Sequence, residues 1–293
     1  MESKETYDQI NRRYGSITRS GTGQYEKTVA KAFGYTEEEL DGVPEGANLG
    51  LSCGNPLALA RLREGETVID LGSGAGLDVF TASKRVGPTG KAIGIDMNKN
   101  MIDKANANKA RANASNVQFI ESAVTSIALP DNTADCIISN CVINLVPPTD
   151  KQLAFNEMFR LLKPGGRVAI SDILARKEFT DEIKKNVALY VGCVAGASQV
   201  SEYDAFLKDA GFKDTVKEEE ETPSCCTSEA KASCCKHEEK ELCCGTHSLT
   251  CACRNQTSSM AAEAKTLATR LGTTDLNELA GSFKVYAVKP AAN

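Results

Sequence analysis

The 293-residue sequence has no tryptophan, and all its aromatic residues together make up only 5% of it. That scarcity argues against a base-stacking platform for single-stranded nucleic acid and against the aromatic belt of a membrane protein. Positive charge is not in excess either. Lys and Arg number 34 against 39 Asp and Glu, leaving a formal charge of -5 and a pI near 5.4. That is the wrong sign for a phosphate-backbone partner. No apolar run approaches the ~20 residues that span a bilayer, so no membrane association is expected. The opening residues, MESKETYDQINRRYGS, are polar throughout. They contain neither an apolar centre nor a small-residue cleavage site, so no signal peptide is expected. The expected location is the cytoplasm, a reducing compartment. Histidine occurs only as His237 and His247, and the first 52 residues contain no cysteine.

What is present is ordinary in bulk and unusual in one respect. A hydrophobic content of 41% and a charged content of 25% suit a chain that buries a core. The length suits one large α/β domain or two small ones. The 12 cysteines, however, are very unevenly spread: Cys53, Cys136, Cys141 and Cys193 precede residue 200, and the rest crowd between Cys225 and Cys253. In a reducing compartment such residues indicate metal binding or thiol chemistry rather than a disulfide framework.

Residues 1–50 read as a helical and loop segment, with capping-box spacing from Thr36 to Glu39. Short apolar runs at 67–71, 91–95, 117–120, 135–139 and 167–171 alternate with helix-like segments such as 101–114 and 152–162, the latter closed by Lys163-Pro164-Gly165-Gly166. A helix over 203–210 and strands over 212–216 and 283–288 complete the pattern. The alternation predicts an α/β fold: a doubly wound, mostly parallel, Rossmann-like sheet of seven strands. The expected organisation is a core over 51–217, a cysteine-rich insert over 218–257, and over 258–293 a helix around 260–271 followed by the last core strand. A connection that long between two strands is foreign to a compact domain.

The stretch Val68-Ile69-Asp70-Leu71-Gly72-Ser73-Gly74-Ala75-Gly76 runs a strand into a glycine-rich turn and then a helix. Glycines let the backbone turn sharply and let a ligand approach the main chain, beside free N–H groups at the helix start. A dinucleotide loop has the spacing G-x-G-x-x-G; here the third glycine falls one residue early. Asp70 followed by G-x-G-x-G resembles the class I methyltransferases, which implies S-adenosyl-L-methionine as cofactor. Asp96, in Gly94-Ile95-Asp96-Met97 at the end of the next strand, is placed to accept ribose hydroxyls, with a simple helix N-cap as the plain alternative. Asn140 closes the fourth strand at the same edge, and Ala123-Val124 is where a methyltransferase would put adenine; an unliganded loop is the alternative there. The candidate cofactor residues are thus Asp70, Gly72, Ser73, Gly74, Gly76, Asp96, Met97, Ala123, Val124 and Asn140.

Three cysteines carry the second constellation. Cys53 lies in a turn-forming loop before the first strand, Cys141 follows Asn140 at a strand end, and Cys193 lies beyond the fifth strand. Ligands gather at the carboxyl ends of the strands in such a sheet. Cys141 is at such an end by direct reading; for any one of the three alone, a small buried residue is the plain reading. Taken together, the stretches NLGLSCGNP (48–56), VIDLGSGAGLDVF (68–80), GIDMNKNMI (94–102), ISNCVINL (138–145), LLKPGGRVAISDI (161–173) and YVGCVAGA (190–197) closely resemble the arsenite methyltransferases. The resemblance implies that Cys53, Cys141 and Cys193 bind trivalent arsenic at the same edge of the sheet. It further implies methylation of arsenite and methylarsenite for detoxification, with thioredoxin or glutathione as thiol reductant. Soft thiolates do select soft, thiophilic centres. In one respect the chain departs from the family: the additional cysteine that many members carry N-terminal to the first ligand is missing. Cys136, in the middle of a strand, reads as a buried structural residue.

Within the insert, Cys-Cys pairs recur every nine residues at 225–226, 234–235 and 243–244. On a helix that period alternates faces, so a flexible thiol-bearing arm is the better reading. Arsenic capture, a thiol relay, a zinc site with His237 or His247, and an idle disordered loop with no role are the alternatives; the lack of a two-residue gap between cysteines ranks zinc below arsenic. Two rival functions also stand. A methyltransferase for a carbon or oxygen nucleophile would need a general base, and the central segments offer no histidine. A thiol-rich metalloid buffer would have no use for Asp70 and Asp96.

Overall fold

The computed structural model describes residues 3–17, 24–186, 189–190, 193–219 and 279–291. The Cys-Cys repeats and the helix expected around 260–271 lie outside the described residues. Seven strands form one sheet: β1 Thr67–Leu71, β2 Lys91–Asp96, β3 Val117–Glu121, β4 Ala134–Asn140, β5 Leu162–Ala175, β6 Lys213–Glu219 and β7 Ala280–Val288. Their order is β3-β2-β1-β4-β5-β7-β6. The first five pair in parallel, and β7 runs antiparallel between β5 and β6. The mostly parallel, seven-stranded sheet read from the alternation of apolar runs is therefore the fold observed.

Nine helices are described: α1 Ser3–Ile17, α2 Gln24–Ala32, α3 Glu37–Asp41, α4 Pro56–Ala60, α5 Leu77–Val86, α6 Lys99–Ala112, α7 Lys151–Leu161, α8 Asp181–Lys184 and α9 Val200–Ala210. The Thr36–Glu39 capping box forms as expected, the Glu39 N–H donating to the Thr36 hydroxyl at 3.2 Å and the Thr36 N–H to the Glu39 carboxylate at 2.8 Å. No helix among the described residues is long and apolar enough to cross a membrane.

Side chains alternate across the sheet, so each strand feeds two cores. Val68 and Cys136 join the core under α2 and α5, while Ile69, Leu71 and Ile137 join the one under α7 and α9. A smaller third cluster lies beyond the sheet's carboxyl edge, where Ile10 of α1 packs with Phe179, Ile183, Tyr190 and Val194. It docks the N-terminal helix against the segment that carries Cys193.

Three elements run longer than the sequence suggested. Strand β5 starts at Leu162, so Lys163-Pro164-Gly165-Gly166 opens the strand instead of simply closing α7. The cause is pairing with the far end of the chain: Gly165 N–H donates to Lys289 O at 2.9 Å and Lys289 N–H to Gly166 O at 2.8 Å. Strand β6 reaches Glu219, two residues past the expected boundary at 217, because Glu218 and Glu219 pair with Lys284 and Phe283. Strand β7 begins at Ala280 rather than at 283, opposite Ala175. Glu219 and Ala280 accordingly lie at the carboxyl edge of the sheet, as does Cys141.

Candidate active site

Reversal of the strand order between β1 and β4 opens a crevice outside the carboxyl ends of the strands. A cavity of about 150 Å³ occupies it. Of the residues expected there, Asp70, Gly72, Ser73, Gly74, Asp96, Met97, Ala123, Val124 and Asn140 line it, as does Cys141. Gly76 does not. It starts α5 at φ 103°, and a Cβ there would come within 2.7 Å of Phe80 and 2.8 Å of Phe119. Gly76 thus serves close helix–sheet packing beneath the loop.

The loop itself is an open cradle. Gly74 takes φ 52°, and a Cβ added to it would meet nothing within 4 Å, so its backbone faces open space. The Ser73 hydroxyl is buried without a hydrogen-bond partner among the described residues. Asp96 braces the loop from β2: its carboxylate accepts from Gly74 N–H at 2.9 Å and from Asn98 N–H at 2.8 Å. The N-cap of α6 is Asn98, not Asp96, so capping does not account for Asp96. Burial raises the pKa of Asp96, and these two hydrogen bonds pull it back. Asp70 is pushed well above the usual carboxylate range by burial, then by the charges of Asp78 and Asp96. The cavity floor is therefore an acidic cluster short of positive charge.

Four further lining residues come from a helix that the sequence reading left without a role. Tyr7, Ile10, Asn11 and Tyr14 of α1 face the cavity. Their spacing of three, four and seven marks one helix face, a signal that was available in the sequence. Asn98 ties this helix down, donating to the Asn11 carbonyl at 3.0 Å. Asp78, in the first turn of α5, is another such residue. It is buried, lines the cavity, and accepts from the Tyr35 hydroxyl at 2.6 Å. Burial raises its pKa to about 6, against the pull of hydrogen bonds from Tyr35 and Asn140. An acid between Leu77 and Val79 in an apolar helix was its only mark.

The three singled-out cysteines converge. The sulfurs of Cys53, Cys141 and Cys193 all lie within 4.8 Å of one another. Cys141 turns out of β4 at φ 60°, its N–H donating to Ser171 O at 2.9 Å. Cys193 takes φ 65°, and its thiol donates to the Cys141 carbonyl at 3.1 Å. The Tyr14 hydroxyl lies 3.7 Å from the same sulfur. Left-handed backbone at two non-glycine residues marks local strain held by the surroundings. Cys53 and Cys141 are joined as a disulfide, with Cα atoms 5.6 Å apart. Burial, then the charge of Asp172, pushes the Cys193 thiol up to about 12, with the Tyr14 hydrogen bond opposing.

Asn140 links the thiols to the cavity. Its side-chain oxygen accepts from Cys53 N–H at 3.1 Å. Its amide nitrogen donates to Gly54 O at 2.9 Å, the Tyr35 hydroxyl at 3.1 Å and Asp78 at 3.3 Å. The Ser282 hydroxyl of β7 holds the Cys53 carbonyl at 2.9 Å. Cys136 stays apart, fully buried in β4, its thiol raised to about 12 by burial, as a structural residue would be.

Comparison with known proteins gives the chain's family. The family described as "Methyltransferase domain" matches residues 62–211. The chain belongs to this methyltransferase family. Within it, the chain is 40% identical over 230 residues to an arsenite methyltransferase of Halobacterium salinarum, covering 72% of this chain and 58% of that protein. It is 32% identical over 216 residues to the arsenite methyltransferase of Homo sapiens, covering 70% of this chain and 56% of that protein. This chain thus spans less than two thirds of the length of either relative. An arsenic(III) S-adenosylmethionine methyltransferase from Chlamydomonas reinhardtii shares the fold, with a TM-score of 0.57 and 23% identity over 91% of this chain and 74% of that one. The resemblance drawn from the motifs agrees with these relatives.

Proposed function

We propose that this protein methylates trivalent arsenic, as arsenite and methylarsenite, held by the thiolates of Cys53, Cys141 and Cys193, and so serves arsenic detoxification. The observation that carries the reading is the convergence of three sulfurs within 4.8 Å beside the glycine-loop cavity. Once the Cys53–Cys141 disulfide is reduced, three soft donors gathered in one place suit a pyramidal, thiophilic ion.

S-adenosyl-L-methionine fits the cavity. Its cationic sulfonium and ammonium groups answer the acidic cluster of Asp70 and Asp78, the unpartnered Ser73 hydroxyl offers a hydrogen bond, and the open backbone at Gly74 allows close approach. Asp96, Met97, Ala123 and Val124 would hold the nucleoside end. When bound, the cofactor would supply an electrophilic methyl group: the arsenic lone pair left free by the three thiolates would form the As–C bond as the sulfonium S–C bond breaks, its electrons leaving on the thioether sulfur of S-adenosylhomocysteine. The protein's part is to orient donor and acceptor and to hold them together.

The Cys53–Cys141 disulfide is the two-electron-oxidised form of two of the proposed ligands. Both must be reduced before arsenic can bind, which gives a thiol reductant, thioredoxin or glutathione, a place in the cycle. With no cysteine in residues 1–52, this pairing is internal to the ligand set.

The test is incubation of purified protein with arsenite, methyl-labelled cofactor and a thiol reductant, with methylated arsenicals measured as products. Replacing Cys141 or Cys193 by Ser should abolish product, because a hard hydroxyl does not substitute for a soft thiolate. Near-normal product from either variant would overturn the assignment. Arsenite bound by the wild type without methyl transfer would favour the metalloid-buffer alternative.

A further inference from the structure

Behind the thiol trio lies a fully buried polar cluster with no part in the cavity. Asn144, Lys151 and Asp172 are all at most 2% exposed, and none of them lines the cavity. Burying a lysine and an aspartate is costly unless fixed partners compensate, and an apolar side chain of equal volume would avoid that. Each charge partly offsets the other's burial, Asp172 pulling the Lys151 pKa up and Lys151 pulling that of Asp172 down, but among the described residues they form no direct ion pair. The donors of the cluster are aimed instead at the chain segment that begins with Cys193.

The Asn144 amide nitrogen donates to the Cys193 carbonyl at 3.1 Å, to the Ile173 carbonyl at 2.6 Å and to the Asp172 carboxylate at 2.8 Å. All three neighbours are acceptors, so the amide orientation follows from chemistry. Lys151 donates to the Gly196 carbonyl and, at 2.8 Å, to the Ser198 hydroxyl. Asp172 orients Asn144 and takes a further hydrogen bond from Ile173 N–H at 3.0 Å. The fit is tight, since a Cβ on Gly196 would lie 2.0 Å from the Asn144 carbonyl oxygen.

Two features connect this cluster to the thiols. Asn144 is three residues from Cys141, in the short 3-10 turn Ile143–Leu145 that follows it, so one cysteine and the anchor of another are close neighbours in the chain. And Cys193 sits in the left-handed region, at φ 65°, a conformation that a residue with a Cβ keeps only when its surroundings impose it.

We propose that Asn144, Lys151 and Asp172 are positioning residues that fix Cys193 against Cys141, so that arsenic receives a third thiolate. This inference rests on the proposed arsenic site and adds what holds that site at three sulfurs rather than two. Outer partners of ligands in other metal sites alter affinity by roughly 10- to 100-fold when removed.

The test uses the 293-residue chain with the eight cysteines from Cys225 to Cys253 replaced by serine, so that bound arsenic is counted at this site alone. The protein is reduced with a phosphine and loaded with one equivalent of arsenite, and X-ray absorption counts the sulfurs around arsenic. The background protein should show three, and Cys193→Ser two. Asn144→Ala and Lys151→Met should also show two, with arsenite bound roughly 10- to 100-fold more weakly. Cofactor affinity should stay within twofold of the background value, because neither side chain lines the cavity. Three sulfurs in both variants would overturn the positioning role and leave the arsenic site standing. Fewer than three in the background protein would overturn the arsenic site, and the inference with it. If neither variant folds well enough to bind cofactor, the cluster is a folding element and the positioning role is refuted.

Discussion

Asn140 offers the sharpest test of how the site is assembled, because one amide ties together three parts of it. Asn140→Ala removes its bonds to Cys53 N–H, Gly54 O, the Tyr35 hydroxyl and Asp78. The 3.3 Å contact with Asp78 is the longest of the four; the other three are ordinary hydrogen bonds. At about 1 kcal/mol net for each, the loss amounts to ~3 kcal/mol. For a domain of this size that lowers the melting temperature by roughly 6–12 °C. The loss is unequal between the two halves of the site. The loop bearing Cys53 loses two of its anchors and keeps the Ser282 bond, whereas Asp96 and the glycine loop keep theirs. Arsenite affinity should therefore fall more than cofactor affinity. The assay pairs a thermal melt of the reduced protein with separate calorimetric titrations of arsenite and S-adenosyl-L-methionine. A melting temperature within 2 °C of wild type, with both affinities unchanged, would refute the reading of Asn140 as the joint between thiols and cavity.

Other perturbations separate the remaining parts. Asp96→Ala should weaken cofactor binding by about 1–3 kcal/mol, the scale of a lost buried polar partner, while arsenite binding survives; unchanged calorimetric affinity would reduce Asp96 to a brace for Gly74. For Asp78 the sign of the pH effect is set by its raised pKa. Between the ordinary 3.8 and about 6 the folded state holds a proton that the unfolded chain has released. Stability contributed by this group therefore falls as pH rises through that window and is level above it. The melting temperature of Asp78→Asn, relative to wild type, should accordingly increase from pH 4 to pH 7, and a difference independent of pH would contradict the assignment. Deleting residues 224–254 should leave fold and cofactor binding intact but slow turnover when arsenite or reductant is scarce. The strands on either side of the insert end at Glu219 and resume at Ala280, so its thiols are covalently attached on the edge that carries Cys141. A deletion variant that matched the parent at every arsenite and thiol concentration would leave the repeats without a role at this site.

By itself the sequence determined whatever rests on local pattern. The strands around Ile69, Ile93 and Ile137 were legible because side chains covered on both faces leave a short apolar run, and the glycine loop was legible because sharp turns demand that residue type at fixed spacing. Asp70, Asp96 and Cys141 could be placed because each stands at the end of such a strand. Only the tertiary structure decided what depends on closure of distant segments. Cys53 and Cys141 are separated by 88 residues and Cys193 lies further still, so their convergence follows from strand order and loop paths that no local window contains. The extension of β5 through Gly165 needed Lys289, and the end of β6 needed Phe283. The role of α1 carried a trace in the spacing of Tyr7, Ile10, Asn11 and Tyr14, but spacing alone does not say what a helix face meets, and only its docking on the third core cluster turns it over the cavity. The left-handed backbone at Cys141 and Cys193 left no mark at all, since both residues are compatible with ordinary strand or turn and the conformation is imposed by what packs around them.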